Sequence, residues 1–185
     1  MASPAPHQPV SGRQTVAEVP LTVLSFGAYF VNNAITGDAV AANTTNPNTL
    51  LAPTYRIPIE NEWYKAAYYD WSQLVYYRFA TINNDQPGTT PSPEPQANQA
   101  NYNGAIGHAT DVGAFSGSWG PFLTYDQTGN VWQWNDLDGT TGSSRGLRGG
   151  SWTDNVEQVS SAYRINSFKP SDEGYSLGFR LAGPA

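Results

Sequence analysis

Apolar and polar positions divide this chain into stretches of different character. From Met1 to Glu18, Pro, Ser, Gln and His dominate, with too few apolar side chains to offset the entropy of ordering, and residues 1–18 are expected to be a disordered or extended tail. Pro20 to Ile35 mixes apolar and polar residues in a pattern suited to one short helix or strand. Thr36 to Pro53, rich in Asn, Thr, Ala and Gly, favours irregular structure. Residues 19–53 thus read as a divergent N-terminal segment ahead of a domain over 54–183.

The clearest periodic element is Pro58 to Tyr69, PIENEWYKAAYY. Proline at the entry, acids in the first turn, and Trp63, Ala66 and Ala67 at helical spacing predict a helix with that face in the core. Tyr68, Tyr69, Tyr76 and Tyr77 are expected to be more exposed, because adjacent residues cannot all face one core. From Asn83 to Asn103 the density of Pro, Gly, Asn and Ser predicts a long surface loop. Beyond it, alternating apolar residues between glycines predict short strands, with Asp138 to Ser144 linking two of them. No internal repeat is apparent. The fold class is α+β, with one clear helix, short antiparallel strands, sparse secondary structure and long loops.

Composition narrows the function. Aromatic and charged residues each make up 13% of the 185 residues, with 18 Gly and 14 Pro, which describes a loop-rich chain with an aromatic core. A net charge of −6 and a pI near 4.7 offer no basic surface for a phosphate backbone, so no nucleic-acid partner is expected. The longest apolar stretch, Val19 to Val31, is interrupted by Pro20, Thr22, Ser25 and Gly27 and is shorter than the roughly 20 residues that cross a bilayer. No membrane span is expected, and Arg13 ahead of a weak, late apolar run makes a poor signal peptide. An extracellular or cell-envelope location stays open. The chain has no cysteine, which removes disulfides, thiolate ligands and cysteine nucleophiles together.

The blocks YRIPIENEWYKAAYYD, ANYNGA, TDVGAF, YDQTGNVWQWND, RGLRGGSW, SAYR and GFRLA, in that order between Tyr55 and Ala182, resemble the formylglycine-generating enzyme, or sulfatase-modifying-factor, family. The resemblance implies that family's compact α+β fold, related to C-type lectins, with buried Trp and bound calcium. It also shows what is missing. Oxidase members hold copper with two cysteines after the R-G-G-S-W block, and the matching stretch Thr153 to Ser161 has none, so no copper is expected. The iron-dependent branch needs histidine ligands from an extra helical domain, and this chain has only His7 and His108. The family segment P-V-x-x-V-S-W-x-x-A is absent from Ala34 to Thr54, while Tyr29 to Ile35 faintly matches an earlier family helix. At the helix start, Ile59 replaces the family's capping Thr, a loss of about 0.5–2 kcal/mol.

By resemblance, one calcium site uses the Asp126 side chain, the Gly129 and Val131 carbonyls, and Gln133 where Glu is usual. A second begins at Asn101 and the Tyr102 carbonyl. Calcium takes six to eight oxygens, and each missing carboxylate weakens the site. The alternative is that these residues only shape a turn around buried Trp132 and Trp134.

Other constellations are read structurally. Ser151 or Ser160 with His108 lacks a nucleophile elbow, and Asp136 with Asp138 reads as a solvated hairpin. Arg148, Arg164 and Arg180 read as stacked or ion-paired, with anion binding as the rival, and Trp63, Trp132, Trp134 and Trp152 are assigned to the core. No catalytic residue is assigned. The favoured function is a noncatalytic binding or structural domain whose C-terminal loops, Thr153 to Ser160 and Ile165 to Ser176, recognise a protein, peptide or glycan through Asn155, Asn166, Phe168, Asp172 and Tyr175. The alternatives are a formylglycine-generating enzyme or accessory subunit, and a subunit of a homo-oligomer that covers the face left by the missing segment.

Overall fold

A computed structural model describes residues 55–92, 94–137 and 144–182. The expected tail, the 19–53 segment and most of the 138–144 linker lie outside these residues. Helix α1 runs over Glu60–Tyr68, followed by a hairpin of β1 (Tyr69–Asp70) and β2 (Val75–Tyr76). A four-stranded sheet contains β3 (Trp132–Asn135), β4 (Arg145–Arg148), β5 (Ile165–Phe168) and β6 (Leu177–Phe179), in the order β5-β4-β3-β6. The pairs β3–β4 and β4–β5 are antiparallel as expected, whereas β3 and β6 run parallel, so not every short strand follows the antiparallel expectation. The β5 strand also occupies the first four residues of what reads in sequence as the loop Ile165 to Ser176.

The helix falls where its periodicity places it, and its missing cap is replaced from elsewhere. Glu62 accepts from the Ile59 amide at 3.0 Å, but the Ile59 side chain has no oxygen to return the bond. The Leu137 carbonyl, just beyond β3, instead accepts from Glu60 N–H at 2.7 Å. An amide orphaned at the helix start is thereby satisfied by tertiary structure. Arg56 clamps Glu62 with two bonds, at 2.5 and 2.6 Å. Next to it, reciprocal Arg56 and Ala182 backbone bonds tie the entry of α1 to the chain beyond β6.

Trp63, Ala67, Tyr68 and Ala80 form one core cluster, and Phe79, Ala100, Tyr102 and Val159 a second. Two sequence expectations change here. Tyr68 is fully buried with its ring edge-on to Trp63, because it joins Trp63, Ala67 and Ala80 in one core cluster. The Pro-rich 83–103 segment is irregular but not wholly on the surface: Ala100, Asn101 and Tyr102 are buried, and the Tyr102 hydroxyl donates to the Pro87 carbonyl at 2.6 Å.

Buried amide and hydroxyl side chains replace much of the regular hydrogen bonding that short elements leave unmade. Asn130 accepts from Thr110 N–H at 2.8 Å and donates to the Thr110 carbonyl at 3.1 Å, and Thr128 accepts from Ala80 N–H at 2.8 Å. These bonds hold loops against the core without strands.

Candidate functional site

The turn before β3 brings the two predicted metal sequences together. Asp126, Gly129 and Asn130 all have positive φ, and Gly129 lies against Asn101 in a bridge where Asn130 N–H donates to the Asn101 carbonyl at 2.8 Å. A side chain at Gly129 would collide with that carbonyl, so the close approach requires glycine. Asp126 accepts from Gly113 N–H at 2.7 Å. Burial pushes the Asp126 carboxyl above its ordinary value, opposed by that bond and by the nearby Arg180 charge, while burial lowers Arg180 in turn.

Gln133 lies at the centre of this network. Its Oε1 accepts from Trp63 Nε1 at 3.0 Å and from Arg180 Nε at 2.6 Å, and its Nε2 donates to the Asp126 carbonyl at 2.6 Å. This arrangement does not fit a calcium ion. The one oxygen of Gln133 already serves two donors, and its other terminus is a nitrogen, which donates to the Asp126 backbone carbonyl and cannot ligate calcium. At the second predicted site, Asn101 Oδ1 is buried without a hydrogen-bond partner and the Tyr102 carbonyl accepts from Ala105 N–H at 3.3 Å. Among the described residues, no three His, Cys, Asp or Glu side chains gather to hold a metal. The second predicted site thus offers one unpartnered neutral oxygen and no carboxylate cluster among the described residues.

The C-terminal loops hold the other predicted residues. Asn155 is exposed, and its Oδ1 accepts from the Glu157 and Gln158 amides at 3.0 and 3.2 Å, so this side chain shapes its own turn. Asp172, half-buried, does the same for Lys169 N–H at 2.9 Å. Asn166 is exposed on β5, and Phe168 packs edge-on against Trp134, with centroids 5.8 Å apart. Tyr175 is 80% exposed, yet its ring lies 6.0 Å from that of Trp152. The Trp152 backbone carbonyl in turn accepts from Gly104 N–H at 2.7 Å, which ties this turn to the 103–104 turn.

Sequence reasoning assigns Trp63, Trp132, Trp134 and Trp152 to the core. Register places Trp134, Leu147, Ile165 and Phe179 on one face of the sheet, together with Trp132 and Leu177. The opposite face carries Gln133 and Arg148, which hydrogen-bond to α1 through Trp63 and Glu60. Trp63 and Trp132 are buried as expected, but Trp134 and Trp152 are only half-buried, and Phe179 is exposed. Tyr163 leans on Trp132 at 5.9 Å. The Trp-x-Trp spacing on either side of Gln133 is the signal for a two-sided strand, since alternate residues project to opposite faces.

The remaining candidates have structural roles. Ser151 Oγ bonds the Asp154 carboxylate, Ser160 Oγ donates to the Glu157 carbonyl at 2.7 Å, and exposed His108 meets the Ala109 carbonyl, so these three form no triad. Asp136 is buried 3.5 Å from Arg145 and is not the solvated hairpin residue its sequence suggests; Asp138 lies outside the described residues. Arg148 is ion-paired with Glu60 and stacked over Tyr64, and Arg180 is hydrogen-bonded, while Arg164 is 57% exposed at 3.9 Å from Glu60.

The sequence profile of the sulfatase-modifying factor enzyme 1-like domain matches residues 6–185. No curated protein matches the chain. Among solved structures, it is similar to Treponema denticola variable protein 1, at 27% identity and a TM-score of 0.49, over 70% of this chain and 47% of that one. It is also similar to CarF, known from a crystal structure, at 23% identity and a TM-score of 0.49, over 71% of this chain and 48% of that one. The match spans about half the length of each of these proteins.

Proposed function

We propose, for a chain that belongs to the sulfatase-modifying factor enzyme 1-like family, the role of a noncatalytic binding domain that recognises a protein, peptide or glycan through its C-terminal loops. The observation that carries this reading is Tyr175, 80% exposed and held beside Trp152 on a loop closed by Asp172, whose carboxylate accepts from Lys169 N–H. A fixed aromatic ring with open access offers contact area at low entropic cost, and the Asn155 loop, which follows Trp152 in the chain, adds polar groups. Exposed Phe179 and Tyr163 extend the aromatic character along the sheet. The lack of any cysteine supports a noncatalytic role with respect to the family's copper and thiol chemistry.

The test is a screen of the purified chain on a glycan array and a displayed peptide library, followed by Tyr175→Ala and Asn155→Ala. Binding that falls at least about tenfold in Tyr175→Ala, with an unchanged melting temperature, is the expected result. No binder on either platform, or binders indifferent to both substitutions, would remove the C-terminal loops as the recognition surface. Formylglycine formation on a sulfatase peptide in the presence of copper and oxygen would overturn the noncatalytic assignment.

A further inference from the structure

We infer that the Gln133 side-chain amide takes the place of a metal ion in bracing the 125–133 turn against the sheet, so that this fold does not depend on calcium. The orientation of the amide is dictated by its neighbours. The indole N–H of Trp63 and the guanidinium of Arg180 can only donate, so the Gln133 oxygen must face them, at 3.0 and 2.6 Å. That leaves Nε2 directed at the Asp126 carbonyl, 2.6 Å away. Gln133 is 3% exposed, so water does not compete for these bonds.

A bound cation would draw the turn's oxygens toward one positive centre. Here N–H groups supply the positive ends: Gln133 to the Asp126 carbonyl and Arg180 to the Tyr125 carbonyl. One buried side chain thereby ties α1, the turn and the chain after β6 together. A glutamate at position 133 would set a second oxygen against the Asp126 carbonyl. Two oxygens so opposed repel unless a cation lies between them. The single change from oxygen to NH2 therefore separates a metal-braced turn from one braced by hydrogen bonds.

The melting temperature of the full chain, measured with EDTA and with calcium chloride, tests this directly. The wild-type chain should melt within about 1 °C in the two conditions, and Gln133→Glu should melt lower in EDTA and recover by roughly 5 °C at saturating calcium. A Gln133→Glu protein that folds only when calcium is added supports the inference equally. A saturable calcium-dependent rise in the wild-type melting temperature overturns it, as does a folded Gln133→Glu protein indifferent to calcium. Terbium luminescence excited through tryptophan gives a second measurement on the wild-type chain should the variant fail to fold in both conditions. Absence of a saturable signal upholds the inference, and its presence refutes it.

Discussion

Glu60 and Arg148, 88 positions apart in the chain, form a buried ion pair in which one carboxylate oxygen accepts from two guanidinium nitrogens. The same guanidinium donates to the Ser161 and Tyr163 carbonyls at 2.8 and 2.7 Å and stacks over Tyr64 with a separation of 5.0 Å. This arginine fastens the first turn of α1 to β4 and to the approach to β5.

Removing Arg148 leaves the mostly buried Glu60 charge with only the exposed Arg164, 3.9 Å away, to offset it. Arg148→Met should lower stability by about 3–5 kcal/mol in urea denaturation. Replacing Glu60 with Met as well should recover part of the loss, although the two carbonyls still lose their donor. A double variant no more stable than the single one would locate the cost in those carbonyls and not in the stranded carboxylate.

The Arg56 and Glu62 pair is more open, with 20% and 40% of the side chains exposed. Hydrogen bonding from Arg56 holds the Glu62 carboxyl below its ordinary 4.5, despite some desolvation. A group whose folded-state pKa is depressed contributes stability that is present above the unfolded value and is lost as pH falls through the folded one. Stability should therefore drop below about pH 4.5 by an amount kept under roughly 1 kcal/mol by solvent screening. Comparing wild type with Glu62→Gln between pH 3 and 6, each to about half a unit, isolates this component, because their difference should shrink as pH falls.

What sequence could show follows from how local each determinant is. Pro58, the first-turn acids and the Trp63/Ala67 spacing lie within one helix, and α1 appears there. The Leu137 carbonyl that replaces the missing cap comes from the far end of β3, so no window around Ile59 contains it. Composition around Tyr102 reports an irregular backbone correctly. It is silent on which side chain of that backbone the Phe79 and Val159 cluster draws inside. The replacement of Glu by Gln at position 133 is visible in sequence, but the donors that orient its amide come from α1 and the chain beyond β6.

The second glycine of the RGGSW block gives a sharper local test. Gly150 has φ +69°, and an added Cβ would lie 2.6 Å from Val159 Cγ1 and 3.0 Å from the Gln158 carbonyl. Gly150→Ala combines a left-handed conformation with overpacking against a fully buried valine. It should cost at least about 2 kcal/mol by chemical denaturation. Adding Val159→Ala should relieve the clash but not the backbone strain, so the two substitutions should be less than additive.

Tyr68 reverses the usual direction of core substitutions. Its ring is fully buried against Trp63 and Tyr64, but its hydroxyl is buried without a hydrogen-bond partner among the described residues. Burial also pushes the phenol's pKa well above its ordinary value, so the group stays neutral and gains nothing as an anion beside Arg148. Desolvating a hydroxyl without a compensating bond costs about 1–3 kcal/mol, whereas the ring's packing is independent of the oxygen. Tyr68→Phe should therefore raise stability by about 1 kcal/mol, partly offset by the small void left, while Tyr68→Ala should lose about 3–5 kcal/mol. A destabilised Tyr68→Phe protein in thermal melts would mean that the hydroxyl is bonded in solution, for instance to a buried water.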